Sequence, residues 1–197
     1  LIRSFELSTY LTDPIGRPAK FVGLLMYTRL FETPVFLNSL TRSAQFALYS
    51  VPTTIFLSFC LAVLGNLELK YKSVFRMLFS STIAVSGATA SLMFLYRYHP
   101  TVGVNYWLGL LGIPEIPWLV SDKTALFSVA LTSIWLQLGL NTVILLAAMH
   151  TIPEELYESA MIDGANAWER MIRITLPLLS PTFFFLLVVD MLAAFQT

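Results

Sequence analysis

The chain has 197 residues, and its twelve basic and twelve acidic side chains leave a formal net charge of zero. Apolar residues make up 56% and charged residues 12%, with a mean hydropathy of +0.72, a balance that excludes an ordinary soluble domain and places the chain in a bilayer. Neutral charge gives no reason to expect nucleic acid as a partner, and the single cysteine, Cys60, excludes an intrachain disulfide and a cysteine-based zinc site.

Residues 1–41 mix Pro14, Gly16, Pro18 and Pro34 with charges, which predicts a loop followed by a short amphipathic helix. No cleavable signal segment is visible, no Met opens the chain, and AAFQT ends it inside an apolar run, so a fragment lacking its first and last helices is expected. Four charge-poor stretches, 43–67, 77–96, 124–149 and 178–197, are long enough to cross a hydrocarbon core of ~30 Å at ~1.5 Å per residue. Pro52 should bend the first or remove one of its hydrogen bonds, and Gly65 with Asn66 supplies its exit turn. Residues 99–123 hold too much Pro and Gly to span, and Tyr106, Trp107 and Trp118 suit an interfacial belt, so this segment is expected as an outer loop. Lys70, Lys72 and Arg76 oppose Arg3, Arg17, Lys20, Arg29 and Arg42, so the distribution of basic residues does not decide the orientation.

The most charged and patterned stretch is 150–181, HTIPEELYESAMIDGANAWERMIRITLPLLSP. Thr151 and Glu154 have capping-box spacing, predicting a short amphipathic helix that starts there and ends at Gly164. Asn166 with Glu169 signals a second N-cap, for a helix over about 167–173, and Pro177 and Pro181 mark the next long element. Glu154, Glu155, Glu158, Asp163 and Glu169 outnumber Arg170 and Arg173, which favours a basic protein partner over an anionic lipid surface.

The spacing of Glu158, Ser159, Ala160, Gly164, Ile174, Leu176 and Pro177 resembles the E-A-A, three residues, G, nine residues, I-x-L-P signature of binding-protein-dependent ABC transporter permeases, with Ser159 where the family usually has Ala. IPEELYE, IDGA and ITLPLLSP are similar in particular to permeases for maltose, related oligosaccharides or glycerol phosphate, and FVGLLMYTRLF resembles the family's FVGL-x-N-Y-x-x-LF stretch, with Met26 in place of Asn. The resemblance implies an all-α polytopic permease domain over 1–197 in a prokaryotic plasma membrane, importing a sugar or sugar-like solute by alternating access. It implies that region 151–175 is a cytoplasmic coupling helix, with Glu154, Glu158, Ser159, Ala160, Asp163, Gly164, Ile174, Leu176 and Pro177 serving the ATPase contact. The implied partners are two ATPase subunits, a second permease subunit and an extracytoplasmic solute-binding protein. ATP and magnesium would be held by those ATPases, since no phosphate-binding G-x-x-x-x-G-K-[ST] occurs here and no cofactor is expected in this chain.

His99 and His150 are expected on opposite membrane faces and outside any metal-binding motif, so neither a metal site nor an enzyme is predicted. Asp190 lies about twelve residues past Leu178, roughly 18 Å into the core, where a lone carboxylate should line a cavity, pair with a cation or be protonated, and an interhelical hydrogen bond to a neighbouring subunit stays open beside a role in the translocation path. Trp135, Gly139 and Thr142 share a helix face. The maltose-type resemblance implies a solute path over Trp135, Leu138, Gly139, Thr142, Asp190, Ala194 and Thr197, while plain helix packing by Trp135 and Gly139 stays open. Ser86, Gly87, Ala88, Ala90 and Ser91 read as small packing residues. An ATP-independent channel or carrier using Asp190, and a membrane scaffold whose acidic loop recruits a soluble partner, also stay open.

Overall fold

A backbone in hydrocarbon must satisfy its own polar groups, which leaves helices as the form available to apolar runs of this length. The computed structural model, which describes residues 2–13, 18–67, 72–122 and 124–196, is accordingly all-α apart from one small hairpin. Packing groups the chain into residues 1–44 and 45–197.

In the first unit, α1 (Ile2–Ser8) leads into the antiparallel strands β1 (Tyr10–Thr12) and β2 (Pro18–Phe21). The hairpin replaces part of the loop predicted there. Tyr10 pairs with Phe21 across it, ring centroids 5.2 Å apart and edge-on, the kind of cross-strand aromatic pair that stabilises a short ladder. Pro14 and Gly16 lie outside the described residues. The short helix α2 (Leu25–Glu32) is tied back by a 2.6 Å bond between the Tyr27 and Ser8 hydroxyls. Thr33 then adopts the extended backbone favoured before proline, and Pro34 opens α3 (Pro34–Asn66), which continues into the second unit.

The second unit adds α4 (Lys72–Ser80), a 3₁₀ turn (Ser81–Ala84), α5 (Gly87–Arg97), α6 (Val104–Leu110) and α7 (Ala125–His150). It continues with α8 (Glu154–Ile162), α9 (Ala167–Arg170), a π turn (Met171–Thr175), α10 (Leu176–Leu178) and α11 (Ser180–Gln196). Helix α7 is the hub, because α4, the 3₁₀ turn, α5 and α11 all pack on it. Ala62 of α3 joins Leu145, Leu146 and Met149 of α7 with Leu179 and Leu186 in one core, and Phe46, Ala47 and Val51 meet Ala130 and Ala194 in another.

The burial pattern is inverted relative to a soluble protein. Ser50, Thr54, Ser58, Ser128, Asn141, Thr142 and Asp190 are buried, while Phe56, Leu92, Phe184, Phe185 and Leu192 are exposed. Lipid tails are as apolar as leucine, so such helices associate through small residues and hydrogen bonds, not by hiding their largest side chains. In α3 the Ser50 and Thr54 hydroxyls donate to the Phe46 and Ser50 carbonyls, at 2.8 and 2.7 Å, and the helix continues through Pro52.

Among the described residues two helices, α3 and α7, are each long and apolar enough to cross a membrane. The run 77–96, expected as one span, lies in a pair of helices bent by 105° at a break between Ala84 and Gly87. Ser81 and Thr82 turn their hydroxyls back onto the Leu78 and Phe79 carbonyls, Val85 is extended, and Ser86 caps α5 by accepting from the Thr89 amide. Side-chain bonds of this kind compete with the helix ladder and let the chain turn. A second bend, of 60°, separates residues 167–178 from α11, so the last long helix begins at Ser180, two residues past Leu178.

The segment between α5 and α7 is built, not slack. Gly103 has φ +66°, and a Cβ there would run into the Arg97 carbonyl, so the turn after α5 is closed to other residues. Buried Asn105 donates to the Ile116 carbonyl at 3.0 Å and accepts from the Ile116 amide and the Trp118 indole, at 3.3 and 2.9 Å. Trp118 also rests on Tyr98, ring centroids 5.8 Å apart, which makes it a packing anchor beyond the interfacial role expected of it.

Candidate functional site

The charged stretch forms two short helices at a bend. The capping box expected at Thr151 and Glu154 does not form: Thr151 closes α7, its hydroxyl donating to the Ala148 carbonyl at 2.8 Å, and Pro153 stands at the N-cap of α8 without a side-chain bond. Proline's fixed φ interposes a break between Thr151 and the new helix, so Glu154 and Glu155 act instead by placing negative charge in the first turn, where the helix dipole favours it. At the other end, Gly164 takes φ +81° and the Ala165 and Gly164 amides bond the Ala160 and Met161 carbonyls, nested bonds that close a helix on a left-handed residue. The second cap is the one predicted: Asn166 and Glu169 exchange two 2.9 Å bonds at the start of α9. That helix is shorter than predicted, because a π turn takes over at Met171.

Glu154, Glu158, Ser159, Asp163 and Gly164 are all exposed along α8 and its end, and Ala160 is half-buried. Beside the carboxylates, Ile162 is 87% and Trp168 71% exposed, a fringe of large apolar side chains on a charged loop. Ile174 and Leu176 are half-buried and Pro177 is exposed, in the segment that leads to α11. The two parts are joined by a bond the sequence did not announce, 2.9 Å between the Tyr157 hydroxyl and that of buried Thr175. Helix α8 is thus held against the end of the π turn, which leads through α10 into α11. At the end of α7, His150 meets Arg76, Nε2 to Nη2 3.2 Å, and Arg76 also donates to the Gly65 carbonyl. His99 bonds locally with Thr101, and among the described residues no group of side chains is arranged to hold a metal.

The residues expected along a solute path do not converge. Trp135 and Leu138 border a groove of about 1030 Å³, where Trp135 packs on Phe94 at 5.5 Å. Gly139 is the seat of the broken segment: a Cβ on it would meet Thr82 Oγ1 and the Phe79 carbonyl. Thr142 turns its hydroxyl onto the Leu138 carbonyl at 2.6 Å and lines a different space, of about 200 Å³, with Arg76 and Ser80. Asp190 and Ala194 line a third cavity, of about 310 Å³, together with Ser50, Thr54, Ser133 and Gln137. Thr197 lies outside the described residues.

That third cavity has the most developed chemistry. Asp190 is 4% exposed, and its Oδ2 accepts a 2.6 Å bond from Asn141 Nδ2 on α7, while its Oδ1 has no hydrogen-bond partner among the described residues. Ser50 and Thr54, one turn apart in an apolar helix, were the unused sequence signal for this site, since hydroxyls on one face mark a polar lining.

A family model described as binding-protein-dependent transport system inner membrane component matches residues 21–197. The chain is 33% identical over 186 residues to the sn-glycerol-3-phosphate transport system permease protein UgpA of Pectobacterium atrosepticum, covering 93% of this chain and 62% of that protein. It is 34% identical over 183 residues to the sulfoquinovosyl glycerol transport system permease protein SmoG of Agrobacterium fabrum, covering 92% and 59%. The chain therefore spans less than two thirds of the length of these relatives. Among solved structures, one chain of a bacterial alginate ABC transporter in complex with an alginate pentasaccharide-bound periplasmic protein superposes with a TM-score of 0.74 at 28% identity, over 85% of this chain and 59% of that one. A chain of a bacterial ABC transporter that imports the acidic polysaccharide alginate shares the fold, with a TM-score of 0.79 at 24% identity, over 96% of this chain and 65% of that one.

Proposed function

The chain belongs to the inner membrane components of binding-protein-dependent transport systems, and from that membership we propose that it is the permease subunit of an ATP-driven importer for a sugar or sugar-like solute. The observation that carries the reading is the exposed acidic and apolar face of α8 and α9, fastened by the Tyr157–Thr175 bond to the π turn that leads into α10 and α11. In this reading the face docks on a cytoplasmic ATPase subunit through basic partners of Glu154, Glu158 and Asp163, with Ile162 and Trp168 entering an apolar recess. Ser159 and Ala160 keep the helix surface low, and Ile174, Leu176 and Pro177 form the stiff stem above it.

ATP binding in two such subunits would draw the docked loops of this permease and a second permease together. The displacement passes through the Tyr157–Thr175 bond and the 60° bend into α11. Asp190 sits on that helix, so the cavity it lines opens alternately to the two sides, which is alternating access by bundle rotation. Helices α3 and α7 and the two bent pairs would make up the crossings, in a bacterial inner membrane, and an extracytoplasmic binding protein would deliver the solute. The relatives named for a glycerol phosphate and a sulfoquinovosyl glycerol, and the alginate transporter, support a solute built on a sugar or polyol.

The test is uptake into vesicles holding the permease with and without its co-purified ATPase. ATP-dependent uptake that disappears with the ATPase supports the reading. Uptake without ATP would make the chain a channel or secondary carrier, and ATPase capture with no uptake would make it a scaffold.

A further inference from the structure

We infer that Arg76 and His150 form a latch that carries movement of the docked loop into the bent segment 76–97, which makes Arg76 a positioning residue for transport. The inference rests on the function proposed above and adds a second route to the one through Tyr157 and Thr175. A single guanidinium joins three helices. Arg76, on α4, donates from Nη2 to the Gly65 carbonyl in the last turn of α3 and to Nε2 of His150, the last residue of α7, both at 3.2 Å. Only Thr151, Ile152 and Pro153 separate His150 from α8, so the latch holds the entry of the docking loop while the Tyr157–Thr175 bond holds it to its exit. In the other direction α4 runs from Arg76 through Phe79 into the 3₁₀ turn, and that corner is seated on Gly139. A displacement of His150 therefore pulls on the corner from which α5 departs.

The chemistry is that of a bond made to open. Arginine has no acceptor, so His150 accepts through Nε2 and its ring is neutral, with the proton on Nδ1. The contact is exposed and 3.2 Å long, and a bond of that kind exchanges with water at little net cost, unlike a buried ion pair. Arg76 Nε, by contrast, is buried and has no hydrogen-bond partner among the described residues. A cation left short of a partner in one arrangement favours a second arrangement that supplies it, which is what a two-state element requires. A space of about 200 Å³ beside it, lined by Leu61, Phe79, Ser80, Val143 and Leu146, lies between α3, α4 and α7 and gives the room for that change.

The latch can be read in the assembled transporter without knowing the solute. In a Cys60→Ser background, which removes the chain's one cysteine, a bimane label is placed by Ala88→Cys on α5 or by Leu192→Cys on α11, both exposed positions. The permease is purified with its ATPase, and the change in emission on trapping with ATP and vanadate is measured at each label. His150→Ala should cut the change at residue 88 by about fivefold and leave that at residue 192, and Arg76→Ala should do the same. His150→Gln, whose amide oxygen can accept from Arg76, should restore the response at residue 88. An undiminished response at residue 88 in His150→Ala overturns the latch, and so does a loss at both labels alike, which marks a general structural defect. A His150→Gln form that behaves like His150→Ala also overturns it, since the bond is then not what carries the movement. If the parent shows no change at either label, the ATPase does not drive this chain, and the proposed function falls together with the inference.

Discussion

Replacing Gly139 by Ala separates a packing role from a ligand role at a position where the sequence left both open. Gly139 is buried within α7 and has an ordinary helical backbone, so alanine in isolation would favour the helix by about 1 kcal/mol. The added methyl, however, would meet Thr82 Oγ1 and the Phe79 carbonyl, and a carbonyl is backbone that cannot swing aside. Forcing the corner of 79–82 off α7 costs about 1–3 kcal/mol by the usual measure of overpacking, so the net effect is a loss of up to about 2 kcal/mol. Gly109→Ala is the matched control, since Gly109 is also helical and nothing lies within 4 Å of the position its Cβ would take. It should gain up to about 1 kcal/mol. Thermal unfolding of the two variants in the same detergent measures the difference, and Gly139→Leu should enlarge it. If Gly139→Ala melts with Gly109→Ala while uptake falls, the glycine serves the solute and the packing argument fails.

Glu158→Ala should lower ATPase co-purification and ATP-driven uptake while the melting temperature of the permease stays within a degree or two, because Glu158 is exposed on α8; unchanged assembly would remove it from the docking face. Gly164→Val places a β-branched side chain at φ +81° and should cost about 1–2 kcal/mol locally and impair coupling, whereas Ser159→Ala should be near silent; equal effects in an ATPase-coupled uptake assay would refute the bend argument. Asn105→Leu strands the Ile116 amide and carbonyl and the Trp118 indole, so a loss of about 2–3 kcal/mol is expected in the same melt, with Trp118 fluorescence reporting the loosened loop. Asn141→Leu leaves both Asp190 oxygens unbonded and should destabilise by about 1–3 kcal/mol; adding Asp190→Leu should recover most of it, and an additive double variant would show that the pair does not interact.

What the sequence determined by itself is whatever depends on near neighbours. Apolar runs without charge compel helices, since no other backbone form satisfies itself in lipid, and α3 and α7 lie over the stretches where composition places them, α3 starting earlier at Pro34. Gly164 and the Asn166–Glu169 box were legible because a left-handed turn and a cap are made by residues within a turn of one another. The family signature was legible for the same reason, being a fixed spacing on one short loop. Thr151 shows the limit even here: its spacing to Glu154 satisfied the pattern, and Pro153 between them prevented it. Tertiary structure decided what each helix face meets. A period of 3.6 puts Trp135, Gly139 and Thr142 on one side of α7, but the neighbours along that side change from Phe94 to the corner at 79–82 to the space beside Arg76, so one stripe serves three environments. The break at 81–86 likewise needs the flat seat of Gly139, more than fifty residues away. Asp190 announced itself as a carboxylate in an apolar helix, yet its partner Asn141, 49 positions distant, and the cavity it shares with Ser133 and Gln137 follow only from how α11 lies on α7.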